Sequence, residues 1–279
     1  MEYVSDELDI SFFNYNTEII IGIIVICIVC FYMSFKHKKI YNTSICVIIP
    51  VTSRNRNWKN FYETYLYNYF CKTFLKYYNP DIKHLILLGI DDDDKLFNNI
   101  EFKNNIKKYI NNKKNIEIDF ISTNGIKKGH TSEYWNRLIK EGINRDYEYF
   151  LQCGDDIEFY SAWENDFINK LQSNNNIGVI GFADILRLKN NKNDRLVTQS
   201  FVHKTHYDIF NYYFPSEIDN WGTDDWLTGV YKLSDKFYYD LKHKIKNSGG
   251  DPRYNVINNR KLWNELIERD YKKIINYQN

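Results

Sequence analysis

The chain has 279 residues, 43% of them hydrophobic, enough for one or two domains with proper cores and too apolar for a disordered polymer. With 37 basic and 36 acidic residues the formal charge is +1, which excludes a chain drawn as a whole onto nucleic acid and leaves any anion site local. Of five cysteines, Cys27 and Cys30 sit in an apolar run and Cys46, Cys71 and Cys153 elsewhere, which is neither a disulfide framework nor a zinc spacing.

The first element in chain order is apolar on all sides. Ile19 to Phe35 reads IIIGIIVICIVCFYMSF, 17 residues without a charge. As a helix it would reach about 26 Å, close to the thickness of a bilayer core. The acidic start (Glu2, Asp6, Glu7, Asp9) does not suit a cleaved signal peptide, so residues 1–18 are expected to be a short tail, 19–35 a permanent single-pass transmembrane anchor in the lipid bilayer, and 36–44 a basic tether. Lys36, Lys38 and Lys39 follow the run and no Lys or Arg precedes it. The positive-inside rule therefore expects the following domain on the cytosolic side.

Ile45 to Pro50 (ICVIIP) is a continuous apolar run of the kind found in buried parallel strands. Trp58, Phe61, Tyr62, Tyr65, Leu66, Tyr69 and Phe70 then recur at three- and four-residue steps, predicting a helix with an aromatic core face. Strands are expected at His84 to Ile90, ending in Asp91 to Asp94, and at Ile116 to Ile121. A helix from about Thr131 carries Trp135, Ile139 and Ile143, with Tyr134 and Leu138 beside them.

The strand Tyr149 to Cys153 ends in Gly154-Asp155-Asp156, and Ser161 to Glu164 reads as a capping box opening a helix with Trp163, Phe167 and Leu171 inside. Two further apolar runs, Ile177 to Phe182 and Gln199 to Val202, precede Trp221-Gly222-Thr223-Asp224-Asp225-Trp226, and a last helix carries Leu262, Trp263, Leu266 and Ile274. Strands alternating with helices predict one α/β domain over 45–279 with a mostly parallel sheet.

In such sheets ligands bind beyond the carboxyl ends of the strands. Asp155 and Asp156, following a buried strand, suit a hard divalent cation, Mn²⁺ or Mg²⁺, which would hold a diphosphate. The longer run Asp91 to Asp94 is expected to be a solvated loop of which only Asp91 meets ligand. His203 and His206 are spaced for opposite faces of a strand, which argues against a two-histidine metal site. Arg54, Arg56, Lys127 and Lys128 are available to phosphates.

The order ICVIIPVTSRNR, LLGIDDDD and GHTSEYWNRLIKEGINRDYEYFLQCGDDIEF resembles the GT-A glycosyltransferases, particularly the family 2-like group, over Ile45 to about Tyr231. The resemblance implies a Rossmann-like GT-A domain with helices on both faces of its sheet, and transfer of a sugar from a UDP- or GDP-sugar to a glycan, protein or lipid hydroxyl, with inversion. It further implies that Val51, Thr52, Arg54, Asp91, Asn136 and Arg137 surround the donor and that Asp155 and Asp156 hold the metal. Asp225, or Asp224, would be the general base, with Trp221 and Trp226 against the acceptor. Cys153 stands where that family's metal motif has its first acid. Many anchored members face the Golgi lumen, against the charge rule. A nucleotidyltransferase and an inactive membrane-tethered carbohydrate-binding module are the alternatives.

Overall fold

A computed structural model describes residues 22–27, 43–189 and 195–278. The chain divides into two compact units, Met1–Thr43 and Ser44–Asn279. Of the expected anchor, 22–27 is helical, with Ile23 to Ile26 exposed; the rest of 19–35 and nearly all of the tether lie outside the described residues. Among the described residues no helix is long and apolar enough to cross a membrane.

The second unit is built on an eight-stranded sheet in the order β3-β2-β1-β4-β7-β6-β8-β5. The strands are β1 (Ser44–Val51), β2 (Lys83–Ile90), β3 (Ile116–Ser122), β4 (Tyr149–Gln152), β5 (Ile157–Phe159), β6 (Val179–Asp184), β7 (Ser200–His203) and β8 (Phe237–Asn247). β3, β2, β1 and β4 run parallel, β7 is antiparallel to both its neighbours, and β8 lies parallel to β6.

The helices are α1 (Lys72–Tyr77), α2 (Ile100–Ile110), α3 (Thr131–Asn144), α4 (Glu164–Gln172), α5 (Ile185–Lys189), α6 (Thr205–Phe210), α7 (Thr223–Leu233) and α8 (Arg260–Gln278). Alternation along β1 sends Ile45, Val47, Ile49 and Val51 into one core with α1, α2 and α4, and Cys46 and Ile48 into the other with α3, α7 and α8. Both faces of the sheet are thus covered, which is why β1 and β2 read as unbroken apolar runs.

The structure departs from the sequence reading in several elements. The aromatic stretch is a 3-10 turn (Phe61–Glu63) and a π-helical segment (Leu66–Cys71) leading into α1, with Phe61, Leu66 and Phe70 buried as expected. The capping box does not form. Glu164 is buried and bonds His84 Nε2 at 2.9 Å and the Asn79 amide at 2.6 Å, while Ser161 Oγ bonds His243. A buried histidine and amide take the carboxylate that local pattern assigns to a cap. β8 and α2 had no counterpart in the sequence reading; β8 alternates weakly because much of it is half-exposed.

Candidate functional site

Strand order places the site. β1 is followed outward by β2 and β3 on one side and by β4 on the other, so the order reverses between β1 and β4, where connecting loops diverge and leave a crevice. Ile48 pairs in parallel with Gln152, so Val51-Thr52 and Gly154-Asp155 leave the sheet at the same edge. A cavity of about 510 Å³ opens there. Val51, Thr52, Asp155, Asp156, Trp221, Asp224 and Asp225 line it together with Arg56, Tyr134 and Gln199.

The first wall is the loop after β1. It is held by Asp94, which accepts from Thr52 Oγ1 at 3.1 Å, Ser53 Oγ at 3.0 Å and the Ser53 amide, and from the Leu96 and Phe97 amides at 3.0 and 2.9 Å. Asp94 is therefore buried, not part of a solvated run as expected. Five donors satisfy its carboxylate, which offsets the cost of burying so polar a group. Asp93 meets Arg54 and Lys128 at the surface, and Lys127 pairs with Asp219, so of the basic candidates Arg56 is the one lining the cavity.

The floor is the acid pair after β4. The Gly154 amide donates to Gln199 Oε1 at 2.9 Å, fixing the turn. Asp155 is 2% exposed and accepts from Arg253 Nη2 at 2.8 and 3.0 Å. Burial and the neighbouring Asp155 charge push the Asp156 carboxyl up to about 6, against the opposing pull of Arg253. Asp156 fits only because glycines surround it: a Cβ on Gly249 would lie 1.9 Å from its Oδ2.

The opposite wall is the start of α7. Gly222 precedes it at φ +100, and Asp224 and Asp225 occupy its first turn. Asp224 is half-buried and Asp225 exposed. Burial first, and the Asp225 charge second, push Asp224 up to about 7, with Arg187 pulling the other way.

Several expected site residues stand elsewhere. Asp91 is buried behind the cavity, accepting from the Tyr254 hydroxyl. Asn136 clips the segment before α7 to α3, accepting from the Tyr213 and Phe214 amides at 2.8 and 2.9 Å and donating to Phe214 O at 2.9 Å. Arg137 donates to the Ser122 and Asn124 carbonyls, and neither Asn136 nor Arg137 reaches the cavity. Trp226 is fully buried and is a core residue, so it offers no face to an acceptor; Trp221, 54% exposed at the rim, does. His206 is likewise core, bonded to Tyr231 Oη and Tyr213 O.

The sequence reading missed the loop 248–259, which brings Arg253 and Tyr254 over the cavity. The run Gly249-Gly250-Asp251-Pro252 before Arg253 signalled a turn but not its destination. The same loop bears on the expected metal. Among the described residues no group of three or more His, Cys, Asp or Glu side chains is arranged to hold an ion, and both oxygens of Asp155 are bonded to Arg253. As arranged, this donor set does not fit a divalent cation.

The three-layer arrangement, with its mostly parallel sheet and its cavity at the strand-order reversal, is the Rossmann-like fold of GT-A glycosyltransferases. Solved structures share it. Staphylococcus aureus TarS residues 1–349 in complex with UDP match with a TM-score of 0.51 and 13% identity, over 73% of this chain and 60% of that one. A longer S. aureus TarS structure matches with a TM-score of 0.51 and 12% identity, over 83% of this chain and 43% of that one. The mannosyltransferase PcManGT from Pyrobaculum calidifontis, in complex with GDP-Man and Mn²⁺, matches with a TM-score of 0.51 and 7% identity, over 84% of this chain and 63% of that one. The chain thus spans less than two-thirds of the length of each of these structures. No protein-family model and no curated protein matches the sequence.

Proposed function

We propose that the protein is a glycosyltransferase that binds a nucleoside-diphosphate sugar in the cavity between β1 and β4 and transfers the sugar to a hydroxyl acceptor. One observation carries this reading. The cavity at the strand-order reversal is walled by the Thr52 loop and the Asp155-Asp156 turn on one side and by two carboxylates of α7 on the other. Its volume suits a ligand of nucleotide-sugar size. The UDP and GDP-Man bound by the similar structures support this donor class.

In an inverting displacement the acceptor oxygen forms a bond to the anomeric carbon as the bond to the diphosphate oxygen breaks, and a base takes the hydroxyl proton. Asp224 is the better base of its pair. It is half-buried and its carboxyl is raised to about 7, so its carboxylate is basic enough to accept a proton near neutrality, whereas Asp225 stands in solvent. Trp221 at the rim presents an indole face for a sugar acceptor. The leaving diphosphate needs positive charge from the acid-pair side of the cavity.

The proposal includes a single-pass membrane tether through 19–35, supported by its charge-free composition, with the catalytic domain cytosolic as Lys36, Lys38 and Lys39 argue. The decisive experiment incubates the full chain with a panel of UDP- and GDP-sugars and hydroxyl acceptors and identifies the released nucleotide. Free UDP or GDP, lost in Asp224→Asn, is expected. Pyrophosphate would replace this reading with nucleotidyl transfer, and sugar binding without turnover would replace it with a binding module.

A further inference from the structure

The acid pair at the end of β4 already has a cation, and the chain supplies it. Ser248 to Asn259 joins β8 to α8 and crosses the mouth of the cavity. It is tied down along its length: the Ser248 amide donates to Asp156 O at 2.9 Å, Arg56 Nη2 to Asp251 O at 2.9 Å, Tyr254 Oη to Asp91, and Asn220 Nδ2 to Asn255 O at 2.9 Å. Arg56, Asp156 and Asn220 line the cavity, and Asp91 lies buried behind it.

Arg253 is the inward-facing charge of this strap. Its bonds to Asp155 run through Nη2 alone, so its Nη1 and Nε donors are not spent on that carboxylate. The guanidinium lies over the rings of Trp58 and Tyr65, 5.8 and 5.6 Å from their centroids, which holds its plane. With Nη2 held by the carboxylate, the planar guanidinium still has its Nη1 and Nε donors to offer a second anion, and a diphosphate supplies acceptor oxygens for them.

We propose that Arg253, oriented by Asp155, is the positive charge that receives the diphosphate of the donor, so that nucleotide capture by this protein requires no divalent cation. Asp155 is then a positioning residue and the strap is part of the nucleotide site. The inference rests on the glycosyltransferase reading of the cavity.

The test measures calorimetric binding of UDP and GDP to the full chain in EDTA and in Mn²⁺. One of the two nucleotides is expected to bind with affinities within about threefold in the two buffers. Arg253→Ala should weaken it at least tenfold in both, and Arg253→Lys should recover part of the loss, because a point charge replaces a fork. Arg253→Met, which keeps apolar contact with Trp58 and Tyr65, serves if the alanine variant melts early. Loss of wild-type binding in EDTA, or unchanged binding by the folded Arg253 variants, overturns the inference and leaves the glycosyltransferase reading standing. Absence of nucleotide binding in both buffers overturns that reading and this inference with it.

Discussion

Trp226 Nε1 donates to Asp270 Oδ2 at 3.1 Å, joining the helix that carries the cavity carboxylates to the last helix of the chain. Asp270 is fully buried and also accepts from Tyr212 Oη, Arg269 and Lys273. Trp226→Ala is expected to cost about 3–5 kcal/mol by opening a large cavity in the core, and Trp226→Phe about 1–2 kcal/mol by removing one hydrogen bond to Asp270 and part of the packed ring volume. Thermal melting would register both. An acceptor-stacking tryptophan would instead raise KM at unchanged stability, the outcome expected for Trp221→Ala.

Gly222 sets the entry to the same helix. Its φ of +100 is a conformation that side chains resist, and a Cβ there would lie 2.0 Å from Trp263 Cε2 on α8. Gly222→Ala should lower stability by roughly 2–4 kcal/mol and displace Asp224 and Asp225 together. Melting and kcat should fall in parallel. A variant with wild-type melting and normal turnover would show that α7 does not depend on this packing.

Asp94 offers a direct contrast within one acidic run. Asp94→Ala removes five acceptor bonds from the loop after β1 and should weaken donor binding at least about tenfold, since even one charge-assisted bond is worth about 1.5–3 kcal/mol. Asp92→Ala, at an exposed position, should leave binding unchanged. Equal effects at both positions, read by nucleotide titration, would remove Asp94 from its role in shaping the cavity.

Asp224 predicts a pH profile. As a base it works only when ionised, so kcat should rise with pH through an apparent pKa near 7. Because the Asp225 charge contributes to the upward displacement, Asp225→Asn should move that limb to lower pH. Asp224→Asn should reduce kcat at least about 100-fold at constant donor affinity. The folded protein holds this proton more tightly than the unfolded chain, so stability falls as pH rises between about 4 and 7. Asp224→Asn should therefore stabilise the protein at pH 8 more than at pH 4. A flat kcat profile would exclude Asp224 as the base.

Periodicity and strand chemistry in the sequence by itself determined the α/β class, the buried strands β1, β2 and β4, and the turn where Asp155 and Asp156 emerge. Short apolar runs rich in β-branched residues suit a strand covered on both faces, and an acid immediately after such a strand stands at the sheet edge. Asp224 and Asp225 entered only through the family resemblance, and the fold sets them in the first turn of α7.

Only the tertiary structure decided what each polar group meets. Asp94 and Glu164 are indistinguishable from surface acids in a local window; contacts with Ser53 and Thr52 across the sheet edge, and with His84 from β2, make them interior. Trp221 and Trp226 are five residues apart and look alike, yet the first precedes α7 and stands at the rim while the second lies on the buried face of that helix. Arg253, 98 residues from Asp155, is its partner because β8 and α8 pack so that their connecting strap crosses the cavity. Pairings over such separations are set by packing of whole elements, and no short-range pattern encodes them.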